Sequence, residues 1–219
     1  MGARQQQVIE RLVASCGRTY AEEAGIRLRN TPQPLYRLLV LACLLSARIR
    51  SSTAVAAARA LSDAGLRDPR SMAAATWQER VDALGRGGYR RYDERTSTQL
   101  GDGAQLLTDH WGGDLRRMRD EADGDVARLS ALLQEVPGLG PAGADIFLRE
   151  VQLVWPEVAP RFDAKTLEGA RRLGLPDSPG RLARITGATE PALVAAALVR
   201  TALDKNVAQE ILDDASAHA

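Results

Sequence analysis

Aromatic residues are scarce in this chain: phenylalanine, tryptophan and tyrosine together make up 4% of its 219 residues. Strands favour aromatic and β-branched side chains, so this scarcity beside abundant alanine argues against a sheet and for helices. Lysine occurs only at Lys165 and Lys205, leaving the positive charge almost wholly to arginine. The two cysteines, Cys16 and Cys43, lie far apart, with no CxxC pair or Cys/His cluster, and His110 and His218 stand alone. A zinc or iron–sulfur site built from such ligands is therefore excluded, and neither metal nor cofactor is expected. No apolar run is long enough to span a bilayer, which speaks against a membrane partner. Met1 to Arg11 is polar and lacks the apolar core of a signal peptide, so the expectation is a cytoplasmic protein. Net charge is +1, so no global basicity advertises a polyanion partner.

What is present is ordinary for a globular chain, with 45% hydrophobic and 26% charged residues, enough for one good core or two small ones. Charge is uneven along the sequence. Arg86, Arg90, Arg91 and Arg95 outnumber Asp93 and Glu94, and Arg161, Lys165, Arg171 and Arg172 outnumber Asp163 and Glu168. A local basic face suffices for phosphate contacts, although solvated helix faces would look the same. Apolar spacing predicts helices over much of the chain, from Gln5–Val13 and the nearly all-apolar Leu35–Ala47 to Asp93–Thr108, Ala164–Leu173 and the stretch 190–214. Residues 20–34, with Asn30 and two prolines, read as a connection. The expected fold is all-α.

The most informative stretch is Val136-Pro137-Gly138-Leu139-Gly140-Pro141-Ala142-Gly143-Ala144-Asp145. An apolar-periodic segment with Leu129, Leu132 and Leu133 on one face runs into it. Another, with Ile146, Phe147, Val151 and Val154, leaves it. Pro141 stands where a second helix would begin, a place that suits its fixed φ and missing N–H. The pattern is a helical hairpin whose glycines let an anion approach backbone amides at a helix N-terminus.

Pro-Gly-Leu-Gly followed by a small-residue helix, then Arg161-Phe162-Asp163 about twenty residues beyond the turn, resembles the helix-hairpin-helix DNA glycosylases of the endonuclease III superfamily. The run Leu38 to Arg48, ending Leu44-Leu45-Ser46-Ala47-Arg48, is similar to that family's buried helix with its Leu-Leu-Ser-Ala-Gln end. The likeness covers roughly residues 30–175. It implies a helical domain over 34–159 containing the hairpin, and a second over 1–33 plus 160–219, with a cleft between them. It also implies a monomer acting on double-stranded DNA with a lesion or modified base. Two hallmarks are missing: the four clustered cysteines many relatives carry near the C-terminus, and the lyase lysine, whose register falls on Ala142.

By that resemblance Pro137, Gly138, Leu139, Gly140 and Gly143 would hold the DNA backbone. Arg48 would fill the gap left by an extruded base, Tyr89 would stack where the register gives Gly88 no side chain to wedge, and Arg90 and Lys165 would meet phosphate. Asp163 would be the catalytic carboxylate, stabilising positive charge on the sugar as the base departs. Each residue has a plainer reading: Asp163 as the N-cap of the helix beginning at Ala164, Arg48 as a charge complementing a helix C-terminus, Lys165 as an exposed helix-start residue. Asp145 and Glu150 read as surface charges, and Trp77, Trp111 and Trp155 as core or interface. The expected function is a DNA repair glycosylase without efficient lyase activity. The alternatives are a non-catalytic DNA-binding protein that keeps the hairpin, and a helical interaction domain in which the glycine turn is only a turn.

Overall fold

The computed structural model describes the backbone of residues 2–217 and the side chains of residues 5–214. His218 lies outside the described residues. The described chain is all-α. In order, the helices are α1 (Gly2–Cys16), α2 (Tyr20–Glu23), α3 (Pro32–Leu45), α4 (Ser51–Asp63) and α5 (Pro69–Ala74). Next come α6 (Trp77–Arg86), α7 (Asp93–Trp111), α8 (Leu115–Ala122), α9 (Val126–Gln134) and α10 (Pro141–Val151). A 3-10 turn at Pro156–Val158 precedes α11 (Ala164–Arg172), α12 (Pro179–Thr186), α13 (Pro191–Leu203) and α14 (Lys205–Ala217). Among the described residues no single helix is long and apolar enough to cross a membrane.

Two compact units result, one from Ala21–Leu148 and one from Met1–Tyr20 with Arg149–Ala219. Their limits lie at 20/21 and 148/149, whereas the sequence placed them at 33/34 and 159/160. Polar side chains at the end of α10 account for the shift at the second limit. Arg149 bonds to Asp163 and Gln152 to Arg161, which ties the last turn of α10 to the segment leading into α11.

In the central unit α3 is buried along nearly its whole length, from Leu35 through Leu44 with only Arg37 partly exposed. It packs on α4 and α8, while α6 and α7 pack together and on α4 and α5 respectively. Each leucine so buried contributes roughly 1.5–3 kcal/mol. α3 begins at Pro32, with Thr31 extended before it, so the prolines that suggested a connection instead start the helix. Asp68 with Ser71 and Thr76 with Glu79 form capping boxes that open α5 and α6, and Asp125 caps α9 by accepting from the N–H groups of Ala127 and Arg128. α4 starts at Ser51, with Arg50 at the N-cap and no side-chain bond.

In the terminal unit α13 is the axis, with α1, α11, α12 and α14 against it. Ile9, Leu12, Phe162, Leu182, Val194 and Leu198 form its core. A Cβ on Gly169 would lie 1.9 Å from the Leu198 carbonyl oxygen, so only glycine lets α11 and α13 come this close. Glu150 is buried and accepts from the Tyr20 N–H at 3.2 Å, which corrects its reading as a surface charge. Trp111 and Trp155 are core residues, but Trp77 is 41% exposed and donates its indole N–H to Thr98.

Candidate nucleic-acid interface

The hairpin is built as its residue types demand. α9 ends at Gln134, and the turn closes when the Leu139 N–H donates to the Val136 carbonyl at 3.0 Å. Gly138 has φ +86°, a left-handed conformation that glycine adopts freely. A Cβ there would also meet Cys43 Sγ and Gln99 Oε1, each at 3.0 Å. The buried Cys43 thiol lies 3.5 Å from the Gly138 carbonyl oxygen, to which it donates, and burial pushes its pKa up to about 12. Pro141 then opens α10, and the Gly140 carbonyl takes the first helical bond from Ala144.

Among the described residues the N–H groups of Gly138, Gly140 and Ala142 have no protein acceptor. Three donors therefore gather at the N-terminus of an eleven-residue helix, where its dipole favours an anion. Gly140 and Ala142 are exposed and Gly138 half-buried. Leu139 contributes neither a free N–H nor a side chain, because its N–H is taken and it is buried. Gly143 is buried as well, with Leu139 packed over it. Leu139 is a structural part of the turn, a correction to its place among the DNA contacts, whereas the Gly143 N–H, though buried, is a fourth without a protein acceptor among the described residues.

Beside the hairpin lies a cavity of about 590 Å³. Val136 to Gly140 form one wall, Cys43 and Ser46 to Arg48 at the end of α3 another, and Tyr89, Tyr92, Arg95, Thr96 and Gln99 a third. Tyr92, Arg95, Thr96 and Gln99 stand at positions i, i+3, i+4 and i+7, one face of α7 and its N-cap. Arg48 and Arg95 are exposed at its margin. Tyr89 is only 2% exposed, with its hydroxyl 3.2 Å from that of Thr96, so it forms part of the wall. This corrects the expectation of an exposed stacking ring. Gly88, at φ +79°, has open space around it, and Arg90 is exposed away from the cavity lining.

In the terminal unit Asp163 is the N-cap of α11 and is 7% exposed. Its Oδ1 accepts from the Thr166 N–H at 2.8 Å and the Thr166 hydroxyl at 2.9 Å, while its Oδ2 accepts from Arg149 Nη1. A carboxylate offers about four lone-pair positions, and three are filled by the chain itself. Arg149 is itself buried, and its Nε–H has no partner. Gln152 completes the arrangement, donating to the carbonyls of Arg149 and Arg161 and accepting from the Arg161 N–H. Lys165, two residues on, has its ammonium 2.7 Å from Glu168 and its side chain 43% exposed. That contact holds the Glu168 carboxyl below the usual glutamate range.

Sequence reasoning missed Arg149 and Gln99. Nothing in the sequence pairs Arg149 with a residue fourteen positions away. The helical spacing of Tyr92, Arg95, Thr96 and Gln99 was readable as a polar face, but not the cavity it lines. Among the described residues there is no cluster of three or more histidine, cysteine or acidic side chains able to hold a metal.

No protein-family model matches the sequence, and no curated protein matches it. Among solved structures the chain is similar to a trapped endonuclease III–DNA covalent intermediate, an estranged-adenine complex, with 20% identity and a TM-score of 0.46. The match covers 74% of this chain and 71% of that one.

Proposed function

We propose that this protein is a DNA glycosylase-like enzyme. In this reading the hairpin amides bind the backbone of duplex DNA and an extruded base enters the adjoining cavity, while Asp163 is assigned, from its position in the sequence after the hairpin, as the carboxylate for hydrolysis of the N-glycosidic bond. The observation that supports it best is the meeting, in one unit, of three acceptor-free backbone N–H groups with a cavity flanked by Arg48 and Arg95. Phosphate would bind the amides by charge-assisted hydrogen bonds, and a pocket of this size falls within the range that takes a small ligand. Loss of a base leaves positive charge on the deoxyribose, which a carboxylate fixed by Thr166 and Arg149 would stabilise without reorganising. Ala142 at the lyase register makes the reaction hydrolytic, since alanine offers no amine to attack C1′.

One observation favours a second reading, a DNA-binding protein without turnover. Asp163 already has three of its acceptor positions filled by its own chain, and one partner is a buried arginine that offsets its charge. The two readings separate in one experiment. Duplexes each carrying a single modified base are incubated with the protein and with Asp163→Asn, and released base and duplex binding are both measured. Release that Asp163→Asn abolishes while binding persists supports the enzyme; binding with no release from any duplex supports the second reading.

A further inference from the structure

Gln99 sits where the cavity meets the hairpin. Its Oε1 is 3.0 Å, and its Cβ 3.2 Å, from the point a Cβ on Gly138 would occupy, so it rests directly against the turn. It is half-buried, and among the described residues its amide has no hydrogen-bond partner. The cavity's other side-chain amide, Gln134, is committed to the Ser130 carbonyl and hydroxyl. On the same face of α7, Thr96 is engaged with Tyr89. An amide held against a wall with both its donor and its acceptor unspent gains most from a ligand that presents a donor beside an acceptor. The edge of a neutral nucleobase does so, and a side-chain amide makes two bonds to such an edge.

We infer that Gln99 is the specificity-determining residue of the cavity and reads the edge of the extruded base. This rests on the DNA-binding reading proposed above. The backbone amides of the hairpin and the arginines at the margin meet phosphate without regard to sequence, whereas Gln99 distinguishes a base from an empty site. Replacing it by leucine keeps its size and removes both hydrogen-bonding groups. Shortening it to asparagine keeps the chemistry and withdraws it from the ligand.

The test is duplex binding, followed by fluorescence anisotropy, with duplexes identical except at one position. That position holds either an unpaired natural base opposite a mismatch or a tetrahydrofuran abasic analogue. The unaltered protein should bind the mismatched duplex more tightly than the abasic one. Gln99→Leu and Gln99→Asn should lose roughly 5- to 100-fold on the mismatched duplex and stay within about twofold on the abasic one, with unchanged thermal melting. Variants that keep the full preference overturn the inference and leave the DNA-binding reading standing. No duplex binding by the unaltered protein overturns both. If Gln99→Leu melts early, Gln99→Asn carries the comparison alone, and an unchanged preference there overturns the inference equally.

Discussion

Arg149 and Asp163 form a buried ion pair, with the two side chains 4% and 3% exposed. Taking two charges out of water is costly, so such a pair adds little net stability, yet removing one partner leaves the other uncompensated. Arg149→Ala should therefore lose about 3–5 kcal/mol of unfolding free energy in denaturant titration. Arg149→Met combined with Asp163→Asn leaves no lone charge and keeps an acceptor for the Thr166 N–H. It should lose markedly less than the single change. Equal losses would show that the pair is not coupled as described.

Gly138 should tolerate no side chain. Alanine there would hold a left-handed backbone at a cost of about 1–3 kcal/mol and would press on Cys43 Sγ and Gln99. Gly138→Ala is expected to lower the melting temperature and weaken duplex binding together. Gly140→Ala, where a Cβ meets nothing within 4 Å, is expected to leave the melting temperature unchanged.

Lys165 has an acidic partner and lies on a half-exposed face. A surface pair of this kind is worth about 0–1 kcal/mol, so Lys165→Ala should fold normally. Borohydride trapping on an abasic duplex should give no covalent adduct with either protein. An adduct that disappears in Lys165→Ala would assign Lys165 a nucleophilic role.

Cys43 links the hairpin to a pH dependence. Its pKa is raised from 9.0 to about 12 by burial, so the folded state holds its proton where the unfolded chain gives it up. The associated stability is intact below pH about 9 and is lost as pH rises through the folded value. Denaturant midpoints should fall between pH 9 and 12, and less steeply in Cys43→Ala. In a native Cys16→Ala chain at pH 8 the Cys43 thiol, held protonated by its raised pKa, should react with Ellman's reagent much more slowly than in the denatured chain.

The hairpin was legible because its residues carry local rules. Pro141 opens α10 where its missing N–H does no harm, and Gly138 takes the left-handed turn. Asp163 caps α11 through Thr166, three residues on, a pattern visible in sequence. The same reading failed at Pro32, where proline begins a helix, because composition alone does not tell a helix start from a loop. It failed at Glu150 and Tyr89, whose burial is set by residues distant in sequence. Arg149 is the clearest case: its partner is fixed by the path of the chain beyond α10, which no periodicity encodes.

The claim beneath all of this is that the hairpin and its flanking arginines grip DNA phosphates. The most direct measurement is the salt dependence of duplex binding. The logarithm of the binding constant should fall with the logarithm of salt concentration, by about 0.9 for each phosphate neutralised, and Arg48→Ala and Arg95→Ala should each reduce that slope by about one. Arg48, at the cavity margin, then serves as a phosphate contact in place of the gap-filling role the resemblance implies. Binding whose slope is flat, or unchanged when both arginines are removed, would contradict it.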